Sequence, residues 1–279
     1  MNSIPDSVTE WLQPAAKSIL KFKRDQALRI AQTMSGEDVK TNDAKKTISQ
    51  EILQSKLPPE DKTQKRLEEE AQIVVGGGVE TTAFTLCIAS FHIINTPRIY
   101  NRLHADLVAA FPNRSTLELY PLEQMPYLKA CVMEAVRLSY GLSARNPRTR
   151  RTQPLQYKHW TIPPNTNVSM TIPEVSHDEA IFPNSHEFIP ERWLDSPTAP
   201  DGLPLERYLV CFGRGTRSCL GINLAWTELY LILGMMFRRY AFELHEPDVE
   251  DVQLGHDFFI PVTKMDAKGV RAFVKSVDH

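Results

Sequence analysis

The chain has 279 residues, enough for one large or two ordinary domains with substantial cores. Lysine plus arginine (32) nearly balances aspartate plus glutamate (34), a net charge of −2 that removes any general electrostatic case for nucleic acid. Cysteines at 87, 131, 211 and 219 form no CxxC pair and three of them sit in apolar surroundings, which fits a reducing compartment rather than a disulfide framework.

Residues 1–13 are polar and acidic and offer no signal peptide. Residues 7–34 read as one amphipathic helix, and residues 35–63 as a polar stretch broken at Leu57-Pro58-Pro59-Glu60. A long helix is predicted over 64–95, opened by Glu68-Glu69-Glu70. Its oddity is Gly76-Gly77-Gly78, because each glycine costs a helix interior about 1 kcal/mol relative to alanine. Three in a row call for a break or a packing reason. The apolar run at 83–94 is too short for a membrane span and contains His92, so no span is expected.

Thr96-Pro97 predicts the next helix, with Thr96 as cap and proline in the first turn, running to about Phe111 before a turn at Pro112-Asn113. A further helix is expected over 126–138. Short strands follow at 155–157 and 167–171, joined through Pro163-Pro164-Asn165. The prolines concentrate between 147 and 204, which predicts a long irregular middle section. A buried helix is expected to follow Cys219 and end near Arg239, with strand candidates at 242–244, 258–260 and 270–274. The fold class expected is therefore mainly α with small β sheets. Val277-Asp-His279 carries no lipidation motif. His177, His186 and His256 have no zinc-site spacing and read as ordinary polar residues.

The chemistry concentrates in Phe212-Gly213-Arg-Gly215-Thr-Arg217-Ser-Cys219-Leu-Gly221. Glycines let the backbone lie close against something large and flat. A helix N-terminus and a guanidinium both favour negative charge on the sulfur between them, and thiolate is the form that binds metal. A lone cysteine is otherwise a small buried hydrophobe. A dinucleotide loop is the other reading, with 208–212 as a strand, Gly213-x-Gly215 as the turn and Glu243 as the later acid. Ser218 stands where the third glycine would be.

Five spaced positions, Phe212, Gly215, Arg217, Cys219 and Gly221, resemble the haem-binding loop of the cytochromes P450. The resemblance implies haem b, with Cys219 as axial ligand of the iron and Phe212, Gly213, Gly215 and Gly221 forming the cradle. It also implies Arg217 as a propionate partner, joined by Arg148 from the cluster Arg145-Asn-Pro147-Arg148-Thr-Arg150-Arg151. Gly77-Gly78-Val79-Glu80-Thr81-Thr82 resembles the family's central-helix signature, which assigns Thr81 as the hydroxyl beside dioxygen and Glu80 as the proton-relay acid. Glu134-Ala-Val-Arg137 and Phe188-Ile-Pro190-Glu191-Arg192-Trp193 resemble the family's buried network of Glu134, Arg137 and Arg192, a structural role that demands full hydrogen bonding.

The resemblance runs from about Pro5 to Lys264 and is strongest toward fungal members that oxidise terpenoids or other secondary metabolites. It implies that residues 1–279 are one partial domain, the family's C-terminal portion, without the N-terminal anchor, N-terminal sheet and substrate-capping region. The implied reaction inserts one oxygen atom of O2 into an apolar substrate, with electrons from NADPH through cytochrome P450 reductase and cytochrome b5 as a second donor. A full-length product would lie on the cytoplasmic face of the endoplasmic reticulum membrane, whereas the chain as written would be cytoplasmic. The rivals are an inactive haem-binding remnant and a dinucleotide-binding oxidoreductase.

Overall fold

The computed structural model describes residues 13, 16–36, 46–113 and 116–275. It divides into two compact units, Met1–Val79 and Glu80–His279. The first contains α1 (Ala16–Ser35), α2 (Ile48–Gln54), a 3-10 turn at Pro59–Lys62 and the opening turns of α3 (Gln64–Asn95). Residues 7–12, 14 and 15 of the first expected helix lie outside the described residues. Helix α2 falls inside the stretch read as merely polar. It starts there because Thr47 and Gln50 cap each other: Gln50 N–H donates to Thr47 Oγ1 at 3.3 Å and Thr47 N–H to Gln50 Oε1 at 2.9 Å.

Helix α3 runs without a break through Gly76, Gly77 and Gly78, so the expected interruption is absent. Among the described residues a Cβ at any of the three would meet no atom within 4 Å, so no close approach there calls for glycine. By length and composition alone α3 is long and apolar enough to cross a membrane, whereas 83–94 taken by itself is too short. Its C-terminal half nevertheless buries Ile88, Ala89, Phe91 and Ile93 in the core of the second unit, as a core helix does.

The second unit is built on α4 (Pro97–Ala110), α5 (Leu119–Glu123), α6 (Pro126–Ser139) and α8 (Ile222–Arg239). Thr96 holds the N-cap position of α4, but its side chain makes no cap bond; Pro97 sets the helix start instead. Helix α4 presents Ile99, Leu103 and Leu107 at four-residue spacing, and α8 presents Leu229, Leu233 and Phe237 in the same way. The two helices pack together and all six side chains join one buried cluster, each contributing about 2 kcal/mol of apolar burial. Helix α6 is buried almost throughout, Lys129 excepted after its first residue, so it forms the middle of the unit.

The strands form four two-stranded antiparallel sheets among the described residues. β1 (Arg148–Thr149) pairs with β4 (Asn167–Val168), and β2 (Leu155–Tyr157) with β3 (Trp160–Ile162). A five-residue helix, α7 (Ile172–Ser176), follows β4. β5 (Ala241–Leu244) pairs with β8 (Ala272–Lys275), and β6 (His256–Phe258) with β7 (Ile260–Val262). The strand expected at 258–260 is instead a reversal: Phe259 has φ +75°, and its N–H donates to Asp257 Oδ1 at 3.0 Å. Residues 208–212 form no strand, Tyr208 ending a 3-10 turn that starts at Leu205, and no parallel pair exists among the described residues, so the dinucleotide reading lacks its βαβ unit.

Candidate haem-thiolate site

Residues 212–221 fold as a loop entering α8. Gly213 and Gly215 have φ of +66° and +75°, a 3-10 turn spans Gly215–Arg217, and Cys219 N–H donates to Phe212 O at 2.8 Å, closing the loop on itself. The Phe212 ring packs 5.4 Å from Trp226 of α8, which ties the loop to the first turns of that helix. Cys219 is exposed, two residues before the N-cap Gly221. Leu220 beside it is 94 % exposed, and Leu224 is exposed one turn into α8. A sulfur donor on a glycine-shaped loop with bare apolar neighbours is what a flat, largely apolar macrocycle held by a thiolate would need. The residues present fit a haem. Among the described residues no group of three or more His, Cys, Asp or Glu could hold a metal ion.

Of the other thiols, Cys87 is also exposed, but it lies within helix α3 rather than on the glycine loop. Cys131 and Cys211 are buried, and burial pushes the Cys211 thiol up to about 12. Both behave as small hydrophobes.

Arg217 is exposed and makes no side-chain hydrogen bond or ion pair among the described residues. Arg148 is also exposed; its Nη1 donates to Asn146 O at 3.3 Å and Pro147 O at 3.1 Å. Glu80 and Thr81 lie elsewhere, on a cavity of about 20 Å³ lined also by Phe84, Ser139, Gly141, Ile260 and Pro261. That volume holds one water-sized species. Cys219 does not line it. Ser139 belongs to the segment 139–144 that the family resemblance puts on the substrate side of the haem, but Thr85 was not expected here: Thr85 Oγ1 stands 2.9 Å from Thr81 O and 2.8 Å from Ser139 Oγ, and Ser139 Oγ donates to Val136 O. The pairing joins residues 54 apart, which no local pattern signals.

Gly141 connects the two regions. After Tyr140 caps α6 in the left-handed conformation (φ +60°), Gly141 also turns left-handed (φ +72°) and lines the cavity. A Cβ there would stand 2.8 Å from the backbone oxygen of Cys211, one residue before the cysteine loop.

Glu134, Arg137 and Arg192 come together beneath this corner. Arg137 forks onto Glu134 with Nε at 2.9 Å and Nη2 at 2.8 Å, and both side chains are 0 % exposed. Its remaining N–H groups donate to the carbonyls of Ser176 (2.8 Å), Ser185 (2.7 Å) and Glu187 (3.1 Å). All five guanidinium donors are thus satisfied. Glu134 also accepts from Arg192 Nε at 2.9 Å, Ile189 N–H at 3.0 Å and Trp193 Nε1 at 2.8 Å. Trp193 was not singled out in the sequence, although it adjoins Arg192.

His177, read as an ordinary polar residue, belongs to the same neighbourhood. Its Nε2 lies 2.6 Å from Tyr140 Oη, its Nδ1 3.2 Å from Ser185 Oγ, and its ring stacks 3.9 Å from that of His186. Burial, then the His186 and Arg137 charges, push the His177 imidazole down to about 4, against weaker support from Glu179. His92, stacked on Phe188, is also pushed down to about 4, chiefly by burial, with Arg137 lowering and Glu134 raising it. Both imidazoles are neutral in the folded state where an unfolded one would take a proton. Their stabilisation is complete above pH about 6.5 and is lost as pH falls toward about 4, because the unfolded chain then binds the extra protons. Denaturant midpoints are expected to drop between pH 6.5 and 5, and His177→Gln to flatten that drop. A midpoint constant across this range in both proteins counts against the assignment.

A groove of about 660 Å³ runs on the other side of the loop, between Phe212, Gly213 and Arg214 and the α8 side chains Trp226 and Tyr230. Its charges are mixed: Lys129 pairs with Glu206 at 3.1 Å, and Glu123 and Arg214 also line it.

The family model described as Cytochrome P450 matches residues 4–268, and the chain belongs to that family. Among relatives, it is 48 % identical over 230 residues to the cytochrome P450 monooxygenase sdnE of Sordaria araneosa, covering 82 % of this chain and 44 % of that protein. It is 43 % identical over 276 residues to the cytochrome P450 monooxygenase orf4 of Eupenicillium brefeldianum, covering 97 % of this chain and 54 % of that one. It is 37 % identical over 274 residues to the tryptophan 6-hydroxylase fscE of Fusarium equiseti, with 98 % and 53 % covered. The chain spans about half the length of the curated relatives it matches.

Proposed function

We propose that this chain carries the haem-thiolate portion of a fungal monooxygenase of secondary metabolism, acting on an apolar organic substrate. The observation that carries the reading is the exposed Cys219 sulfur at the end of a self-closed glycine loop, within a family match that spans almost the whole chain. A bound haem would supply the activation of dioxygen that such a monooxygenation needs.

The protein's own residues do the rest. Cys219 binds the iron, while Gly213, Gly215 and Gly221 keep side chains away from the macrocycle and Phe212 braces the loop against Trp226. Arg217, whose guanidinium has no protein partner among the described residues, and Arg148 neutralise the propionates. Glu80 and Thr81 hold and move a proton in their one-water cavity, and the Glu134–Arg137–Arg192 network fixes the corner that shapes it. Electrons come from NADPH through cytochrome P450 reductase, with cytochrome b5 as a second donor, at the cytoplasmic face of the endoplasmic reticulum membrane. The mixed-charge groove beside Phe212 and Arg214 supports a docking face governed by matched charges of both signs.

The test is a carbon monoxide difference spectrum of the reduced, haem-loaded chain. A strongly red-shifted Soret band is expected, and Cys219→Ser is expected to abolish it. A haem band without that shift in the unsubstituted chain supports an inactive remnant instead. Failure to take up haem at all, or an unchanged spectrum in Cys219→Ser, refutes the assignment.

A further inference from the structure

The β6–β7 hairpin reverses through a single residue. Phe258 opposes Ile260, so Phe259 alone makes the turn, at φ +75°. A bulky side chain in the left-handed region is strained, and such a turn persists only where its surroundings hold it. Pro261, opposite Asp257, has no N–H to give the ladder. The hairpin tip therefore needs support from outside its own strands.

That support comes from the segment after α6. The N–H groups of Ser143 and Ala144 donate to Phe259 O at 3.2 and 3.4 Å, and Ser143 Oγ donates to Asp257 Oδ1 at 2.7 Å. The same Oδ1 accepts the Phe259 N–H at 3.0 Å. One carboxylate oxygen thus fixes the strained residue and the neighbouring segment together. Ser143 is buried, whereas Asp257 is exposed at the rim. The two N–H groups before Ser143 are spent locally, Gly141 on Ser139 O at 2.7 Å and Leu142 on Tyr140 O at 2.9 Å. The chain is tightly wound until it meets the hairpin.

Both clasped segments wall the cavity of Glu80 and Thr81. Ser139 and Gly141 line it from the α6 side, and Ile260 and Pro261 from the hairpin. Ser143 follows Gly141 by two residues, and Phe259 immediately precedes Ile260. A cavity of about 20 Å³ holds one water-sized species, so a small shift of either wall changes what it can hold.

We propose that Asp257 is a positioning residue: by binding Ser143 and the Phe259 turn with one carboxylate, it sets the separation of the two cavity walls. The inference rests on the reading of that cavity as the place where Glu80 and Thr81 hold a proton. Asp257 does not line the cavity itself and acts through the backbone it holds. No ion pair involves Asp257 among the described residues, so what it supplies is an acceptor oxygen, which asparagine also has.

The test is amide hydrogen exchange of the full chain, read by mass spectrometry on segments 139–144 and 256–262. Asp257→Ala is expected to speed exchange in both segments roughly tenfold, since hydrogen bonds to a charged group are the stronger kind. Asp257→Asn keeps the acceptor and is expected to stay within about threefold of the parent. Circular dichroism identical to the parent verifies folding. Should Asp257→Ala not fold, Ser143→Ala removes the hydroxyl alone and is expected to speed both segments about threefold. The haem-loaded chain with reductase and NADPH gives a second readout: the solvent deuterium isotope effect on NADPH consumption should rise in Asp257→Ala and match the parent in Asp257→Asn. If the unsubstituted chain lacks the red-shifted carbon monoxide band, the haem reading fails and exchange alone decides the role of Asp257. Faster exchange confined to 256–262, Asp257→Asn as fast as Asp257→Ala, or an isotope effect that Asp257→Ala leaves unchanged would each overturn the proposal.

Discussion

Glu134→Ala is expected to be the most damaging single substitution in the second unit, leaving little or no soluble folded protein. Glu134 is fully buried and accepts five hydrogen bonds, from Arg137 (two), Arg192, Ile189 and Trp193. Alanine removes the sole anion from two buried guanidinium groups and strands an indole and a backbone N–H. Breaking a buried pair from one side costs about 3–5 kcal/mol, and the orphaned Trp193 and Ile189 donors add about 1–3 kcal/mol each. Against a total stability of roughly 5–15 kcal/mol, that sum consumes most of what a domain has.

Arg137→Met should cost less. Glu134 keeps Arg192 as its counter-charge, and the loss falls mainly on the three carbonyls of Ser176, Ser185 and Glu187. The measurement is soluble yield followed by denaturant midpoint. Glu134→Ala should lie below Arg137→Met, and the double substitution should cost less than the sum of the two. Additive effects, or a Glu134→Ala protein with a midpoint near the parent's, would show that the network carries no such weight.

Gly141→Ala is expected to lower stability by about 3 kcal/mol and to disturb the cysteine loop as well. Two costs combine. Alanine at φ +72° is strained by roughly 1 kcal/mol, and its Cβ would stand 2.8 Å from the Cys211 oxygen, a backbone atom that cannot rotate away. Overpacking of that kind typically costs about 1–3 kcal/mol. Gly202→Ala isolates the first cost, because Gly202 has φ +80° but open space around its Cβ position. The two variants should therefore differ by the clash alone. Because Cys211 immediately precedes Phe212, whose carbonyl receives the Cys219 N–H, relief of the clash should also shift the haem spectrum of Gly141→Ala and leave that of Gly202→Ala unchanged. Equal midpoints for the two variants would mean the close approach is not maintained.

Local chemistry was legible where the pattern and its partner lie within a few residues. The 3.6-residue apolar spacing of 126–138 and 222–239 predicted α6 and α8 with bounds close to those observed. The 212–221 loop reads from its own glycines, and the Glu134–Arg137 fork needs only the three-residue spacing of a helix. Short elements were missed. Helices α5 and α7 are five residues long, too short for periodicity to register, and β3 lacked a partner until the hairpin register was known. The apolar length of α3 was underestimated for a related reason. Counting only 83–94 stopped at the glycine triplet, whereas the helix continues through it and lengthens the apolar window.

By itself, then, the sequence determined the family and the helical class, because both depend on residue type at short spacing. Tertiary structure alone decided that Glu134 serves five donors drawn from residues as much as 59 positions away, that Ser139 and Gly141 share a cavity with Glu80 and Thr81, and that Tyr157 and Trp160 stand exposed on one face. Those facts depend on which distant segments come into contact and which side of a strand points outward. Backbone path sets both, and no short stretch of chain encodes it.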